Sequence, residues 1–258
     1  MPFLVISDTH GYSNEVKKAI EEKGGLKKRV LILNGDICDR GSEAVKLTDY
    51  LIDLLRKEQL ILIRGNHEDL LEDALRDVED GKIWWVATAS HHTANGTFDT
   101  MLQLSGMTAE EAVRDPKKLV DRVKQSPFYR IVLPACIDYY ETDNYIFTHG
   151  WIPCKIEGYG TEKQYYYNPD WRNASAEEWR MARWLNGMKL AFEHGIVEPG
   201  KTIVCGHFHA SYGHACIENV CTEFGPDADF TPYYGDGVIA IDGCVAHSGK
   251  INCIEIDD

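Results

Sequence analysis

Long apolar stretches are missing from this chain of 258 residues. No run approaches the ~20 residues that a membrane-spanning helix needs. The start, MPFLVISDTH, lacks the basic opening of an export signal, and its apolar run is too short for one. Positive charge is scarce: 27 Lys and Arg stand against 41 Asp and Glu, a net charge of −14. That balance argues against duplex nucleic acid or an anionic membrane as the main partner. Anionic substrates stay open, because bound metal ions reverse the local sign. None of the eight cysteines forms a CxxC pair. Without an export signal they are expected to be reduced, with Cys216 and Cys221 as buried thiols, and the expected compartment is the cytoplasm. Repeats, low-complexity tracts and Pro/Ser-rich linkers are absent as well, so residues 1–258 read as a single domain. With 44% hydrophobic residues, a full core needs no disulfide or zinc staple.

What is present is an alternation of short apolar runs and helical patterns, which signals stacked β-α units. The runs Pro2–Ser7, Val30–Asn34 and Leu60–Arg64 are expected strands. Helices are expected near 13–23, where Gly24-Gly25 stops the pattern, then near 42–57 and 68–79. Residues 80–128 hold no strong strand, and Thr108-x-x-Glu111 opens a helix there as a capping box. This stretch reads as a helical insertion over one sheet edge, of the kind that can serve as a lid. Further strands are expected at 129–133, 136–141, 145–148, 202–205, 217–221, 237–241 and 251–256. A polar loop is expected over 151–174, and a helix opened by Ser175-x-x-Glu178 runs to about 194.

Ligands of open α/β sheets bind at the carboxyl ends of the strands. The residues following the apolar runs are Asp8-Thr-His10-Gly11, Gly35-Asp36-x-x-Asp39-Arg40-Gly41, Gly65-Asn66-His67-Glu68, His149-Gly150 and Gly206-His207-x-His209. Each puts a metal-capable side chain beside a glycine, whose small size lets side chains converge. Four imidazoles, two carboxylates and an amide make a mixed N/O set. It suits first-row divalent or trivalent ions, Mn, Fe, Zn, Co or Ni, and does not suit calcium. Asp8-x-His10 and His207-x-His209 each place two side chains on one side of an extended segment. Asp36, in the middle of the group, is able to bridge two ions.

This string of motifs resembles the calcineurin-like metallophosphoesterase superfamily. The forms GDICDRG and RGNHE are most similar to the PPP-type serine/threonine phosphatases, especially the small bacterial and phage members. The resemblance runs from Asp8 to His209, with Ile241-Asp242-Gly243-Cys244 similar to the family's terminal strand segment. It implies a four-layer αββα sandwich of two mixed sheets flanked by helices, and two bound first-row ions, manganese being the first choice. Asp8, His10 and Asp36 would hold the first ion; Asp36, Asn66, His149 and His207 the second. His209 departs from the PPP pattern but matches a first-ion ligand of the wider superfamily. A water activated between the ions would attack phosphorus in line. His67 would protonate the leaving oxygen, Asp39 would orient His67, and Arg40 would fork onto phosphate oxygens. Arg183 resembles the position of a second phosphate-binding arginine, with Arg180 one turn away.

The implied activity is hydrolysis of a phosphorylated protein or a small phosphorylated compound, with serine/threonine protein phosphatase the leading form. A dinucleoside-polyphosphate hydrolase shares GD-x-x-x-RG and GNH, and an inert metal-binding scaffold is the alternative from another class. Several other features read as structural. Glu68 suits a helix N-terminus. Adjacent His91 and His92 cannot face one ion. Trp84-Trp85, Trp151 and Tyr165–Tyr167 suit packing better than ligand stacking.

Overall fold

The computed structural model describes residues 2–82, 90–158, 160 and 163–258. Trp84 and Trp85 lie outside them. One mixed sheet is built from β1 (Phe3–Ile6), β2 (Val30–Asn34), β3 (Leu60–Ile63), β4 (Cys136–Ile137) and β12 (Cys253–Ile256), in the order β12-β1-β2-β3-β4. Only β12 runs antiparallel to its neighbour. The second contains β5 (Tyr139–Glu141), β6 (Tyr145–Thr148), β9 (Thr202–His209), β10 (Tyr233–Gly235) and β11 (Val238–Asp242), ordered β10-β11-β9-β6-β5. Its inner three strands are parallel and its two edge strands antiparallel.

Strand alternation sorts the apolar side chains into three layers. Phe3, Val5, Ile32, Ile63, Phe147, Val204, Ile241 and Ile254 interleave between the sheets. Leu4, Ile6, Leu31 and Leu33 face outward onto α1 (Ser13–Glu22), α2 (Ala44–Arg56) and α3 (Asn66–Glu79). Ile146, Ile203, Cys205 and Ala240 face the other way, onto Trp151, Trp171, Trp179 and the helices α8 (Ala176–Ala182) and α9 (Gly187–His194). The result is the four-layer αββα sandwich, with both sheets flanked by helices. No helix among the described residues is long and apolar enough to cross a membrane.

The described part of the insertion forms α4 (His91–Ala94), α5 (Thr97–Ser105), α6 (Ala109–Arg114) and α7 (Pro116–Gln125). Met101, Leu119 and Val123 are fully buried in the same cluster as α2 and α3, so these helices extend the outer layer of the first sheet. Thr108 and Glu111 form the expected capping box.

Several expected elements differ. Residues 128–132 form a π-helical turn rather than a strand, with Phe128 and Val132 buried on one side. Pro127 and Pro134 flank that turn, and proline cannot donate to a strand ladder. Residues 213–217 form a similar turn and Val220 is 69% exposed, so no strand exists at 217–221. The expected strand 136–141 divides between the two sheets as β4 and β5, and the helix over 175–194 divides where Asn186 caps α9. The polar loop contains a small hairpin, β7 (Lys155–Glu157) with β8 (Gln164–Tyr166). All eight cysteines are free, but Cys216 is exposed and Cys221 half-buried, contrary to their expected burial.

Candidate metal centre

The loops leaving β1, β2, β3, β6 and β9 converge at one end of the sandwich. Their backbones are unusual: Asp8, His10, Asp36, Asp39, Arg40 and His207 all adopt positive φ, between 45° and 73°. Non-glycine residues hold such conformations only where the surroundings over-determine them, and they concentrate at functional sites. Here Glu68 does much of the holding. Its carboxylate accepts the backbone N–H of Gly65 (2.7 Å), Ile37 (2.9 Å) and Asp36 (3.1 Å), tying the turn after β2 to the start of α3. A Cβ on Gly65 would stand 2.2 Å from Asp36 Oδ1, so only glycine allows this approach.

Two groups of possible ligands result: His10, Asp36 and His67, and Asp36, His149 and His207. Asp36 belongs to both. Its Oδ1 lies 3.2 Å from His149 Nε2, whereas its Oδ2 lies 3.8 Å from His10 Nε2 and 3.7 Å from His67 Nε2. Asn66 Oδ1 joins the second group, 2.8 Å from His149 Nε2. Asp8 borders it, its carboxylate accepting the His207 backbone N–H at 3.0 Å. The histidines are oriented from behind: the His10 Nδ1–H donates to the Cys38 carbonyl (3.0 Å) and the His149 Nδ1–H to that of Asn34 (2.7 Å). Each bond leaves Nε2 facing the cluster.

Burial depresses the pKa of His10 well below its ordinary value, Arg40 and His67 adding to the effect and Asp36 opposing it. Burial and the charge of His149 bring His207 down to about 3. Both rings are therefore neutral, the form that coordinates metal. Burial alone would raise Asp36, but His149 and His67 outweigh it and hold the carboxyl well below its ordinary range. Burial likewise works against a charged His149, yet Asp36 and Asp8 raise it to about 10. The donor set fits two first-row ions: buried imidazole nitrogens, carboxylate oxygens and an amide oxygen, with one carboxylate facing both groups.

Beside the first group, His67 Nδ1 lies 2.8 Å from Asp39 Oδ2, both side chains buried. Asp36 and Asp39 raise His67 against the opposing effect of burial, which is the larger single influence. Arg40, the exposed member of the site, donates from Nη1 to His10 Nε2 at 2.9 Å, and its Nη2 lies 3.4 Å from His67 Nε2.

Asp8, expected beside His10, is in neither group, and two further sequence-derived candidates stand apart. His209 is in neither group; its Nε2 is 2.8 Å from Glu223 Oε1, and Phe224 packs over its ring. The positive φ of His207, 64°, breaks the strand alternation that would have put both rings on one side, and the β9–β11 register shifts at the same place. Arg183 is buried, with Nη1 on Asp69 (2.7 Å) and Nη2 on Asp138. Arg180 pairs with Asp73. His91 and His92 join neither group. Trp151 is fully buried, as expected for packing.

The sequence reading missed Thr97 and Thr100. From α5, Thr97 Oγ1 donates to Asp39 Oδ2 (2.9 Å), and Thr100 Oγ1 accepts the Asp39 N–H (3.0 Å). No motif spacing announces a contact across 58 residues.

A calcineurin-like phosphoesterase family model matches residues 1–231, and the chain belongs to that family. A Candida glabrata protein, serine/threonine-protein phosphatase 4 catalytic subunit, is 27% identical over 95 residues. That match covers 32% of this chain and spans only 30% of the relative's length. A Saccharomyces cerevisiae protein serine/threonine phosphatase with similarity to human phosphatase PP5 superposes at TM-score 0.44 and 16% identity, over 80% of this chain and 61% of that one. A protein assigned by inference as a diadenosine tetraphosphatase aligns at TM-score 0.50 and 12% identity, over 99% of this chain and 89% of its own. At these identities the structural likeness concerns the fold.

Proposed function

We propose that this protein hydrolyses phosphomonoesters with two first-row metal ions, and that its substrates are phosphoserine and phosphothreonine in proteins. The observation that carries the reading is the division of the Asp36 carboxylate between two histidine groups, with Oδ1 toward His149 and Oδ2 toward His10. Asp8, His10 and Asp36 would hold one ion, and Asp36, Asn66, His149 and His207 the other. His209 is left out of the ligand set, because Glu223 holds its Nε2. Bound ions would supply Lewis acidity to the phosphate and lower the pKa of a water molecule. The remaining work falls to the chain itself. His67, its Nδ1–H donated to Asp39, keeps a proton at Nε2 for the departing oxygen. Arg40 presents a guanidinium fork at the rim, suited to two phosphate oxygens.

The GDICDRG and RGNHE forms, together with the match to a protein phosphatase catalytic subunit, support a phosphorylated protein over a dinucleotide. The test measures manganese-stimulated release of p-nitrophenol from its phosphate, then compares a phosphothreonine peptide with diadenosine tetraphosphate. Turnover of the peptide is expected. Turnover of the dinucleotide alone would move the assignment to a dinucleoside-polyphosphate hydrolase. Bound metal without any hydrolysis would indicate a binding scaffold.

A further inference from the structure

Three supports of the second ligand group come from one short stretch, the end of α8 at Ala182–Trp184. The Ala182 carbonyl accepts the N–H of Trp151, two residues beyond His149. A Cβ on Gly150 would stand 2.4 Å from that carbonyl oxygen and 2.7 Å from the Arg183 oxygen, so the His149 turn lies directly on this backbone. Arg183 reaches the first turn of α3 through Asp69, three residues after Asn66. The Trp184 indole packs edge-on against the His207 ring, with centroids 5.7 Å apart. Asn66, His149 and His207 are thus all buttressed from residues 182–184.

We propose that Arg183 is a positioning residue for the second metal ion rather than a phosphate contact; the inference rests on the two-ion reading above. Both of its terminal nitrogens are committed to carboxylates, Asp69 on α3 and Asp138 between β4 and β5. Its side chain is 7% exposed. Asp69 in turn receives Arg64 Nε on its other oxygen at 2.7 Å, so the first turn of α3 is clamped from two sides. Removing Arg183 leaves Asp69 with one cation instead of two and frees Asn66 to shift relative to His149. Groups that orient ligands from behind typically change metal affinity about 10- to 100-fold when lost.

The test titrates manganese into metal-free wild type, Arg183→Gln and Asp138→Asn by calorimetry, and records the electron paramagnetic resonance signal of a coupled manganese pair. Wild type is expected to bind two ions. Arg183→Gln should bind the first with unchanged affinity, bind the second about 10- to 100-fold more weakly, and lose the pair signal at limiting manganese. Asp138, whose side chain is 38% exposed against 7% for Arg183, gives the variant with less buried structure to lose, and it should show a smaller loss at the second ion only. At saturating manganese the KM for a phosphopeptide should stay near wild type in both. Unchanged binding of both ions with a raised KM in Arg183→Gln would make Arg183 a phosphate contact and overturn the proposal. Equal weakening of both ions would reduce it to a general stabilising role and overturn it too. A wild type that binds fewer than two ions would overturn the two-ion reading beneath it.

Discussion

His67 Nδ1 and Asp39 Oδ2 lie 2.8 Å apart, with His67 3% and Asp39 1% exposed, and Thr97 from the insertion donates to the same carboxylate oxygen. If His67 acts as the proposed acid, the insertion supports it, since the Asp39 carboxylate beside the imidazole is itself held by α5. His67→Asn removes the proposed proton donor and leaves the six proposed ligands in place. Both ions should remain bound, and turnover should fall about 10²- to 10⁴-fold. The loss should be greater for an alkyl phosphate than for p-nitrophenyl phosphate, whose leaving group needs no proton. Equal slowing of the two substrates in steady-state kinetics would count against the acid role.

Thr97→Val keeps the volume of the side chain and deletes the hydrogen bond to Asp39. The orientation of His67 should loosen, with kcat reduced about 3- to 30-fold for poor leaving groups at unchanged metal content, a span equal to roughly 0.7–2 kcal/mol. Parallel kinetics and metal analysis check it, and an unchanged kcat would show that Asp39 needs no support from α5.

Gly65→Ala tests the close approach between the turn after β2 and the start of α3. The added methyl would meet Asp36 Oδ1 at 2.2 Å and the Asp36 nitrogen at 2.3 Å. Asp36 must then move, and metal content and turnover should fall together. Retention of both in the folded variant would mean that the turn can yield without cost to the site.

Glu141 belongs to neither ligand group. Bonds from Arg172 outweigh the opposing effect of burial, and Lys201 adds to them, lowering the carboxyl from 4.5 to about 2. The charged form is favoured in the folded state. The stabilisation is therefore complete above pH 4.5 and is lost as the pH falls through about 2. The shift corresponds to at most about 3 kcal/mol; with Arg172 partly in solvent, about 1–2 kcal/mol is the reasonable expectation. Glu141→Gln should be less stable than wild type by that amount at neutral pH, and the gap should close in acid. Urea melts across this range measure it, and a gap that stays constant down to pH 2 would show the stabilisation is not ionic.

The clustering of the candidate site was legible in the sequence because its residues sit at strand ends beside glycines, where local order and spacing carry the information. The convergence of Asp36, His67 and His149 follows from that placement, while their roles were taken from the family resemblance. His209 was misplaced because the alternation rule fails at a residue with positive φ, and nothing in G-H-x-H marks that turn. Thr97 and the carboxylate partners of Arg183 were invisible because their contacts are purely tertiary. Among the elements, long periodic helices such as α2 and α3 could be read directly. The apolar segments at 128–133 and 217–221 were ambiguous, since a short buried run fits a strand or a helical turn equally well.

That Asp36 is shared between two ions is tested most directly by anomalous-scattering maps from crystals grown with manganese. Two peaks are expected, about 3.5–4 Å apart, one beside Asp36 Oδ2 with His10 and Asp8, the other beside Oδ1 with Asn66, His149 and His207. A single peak, or peaks not in contact with Asp36, would contradict it.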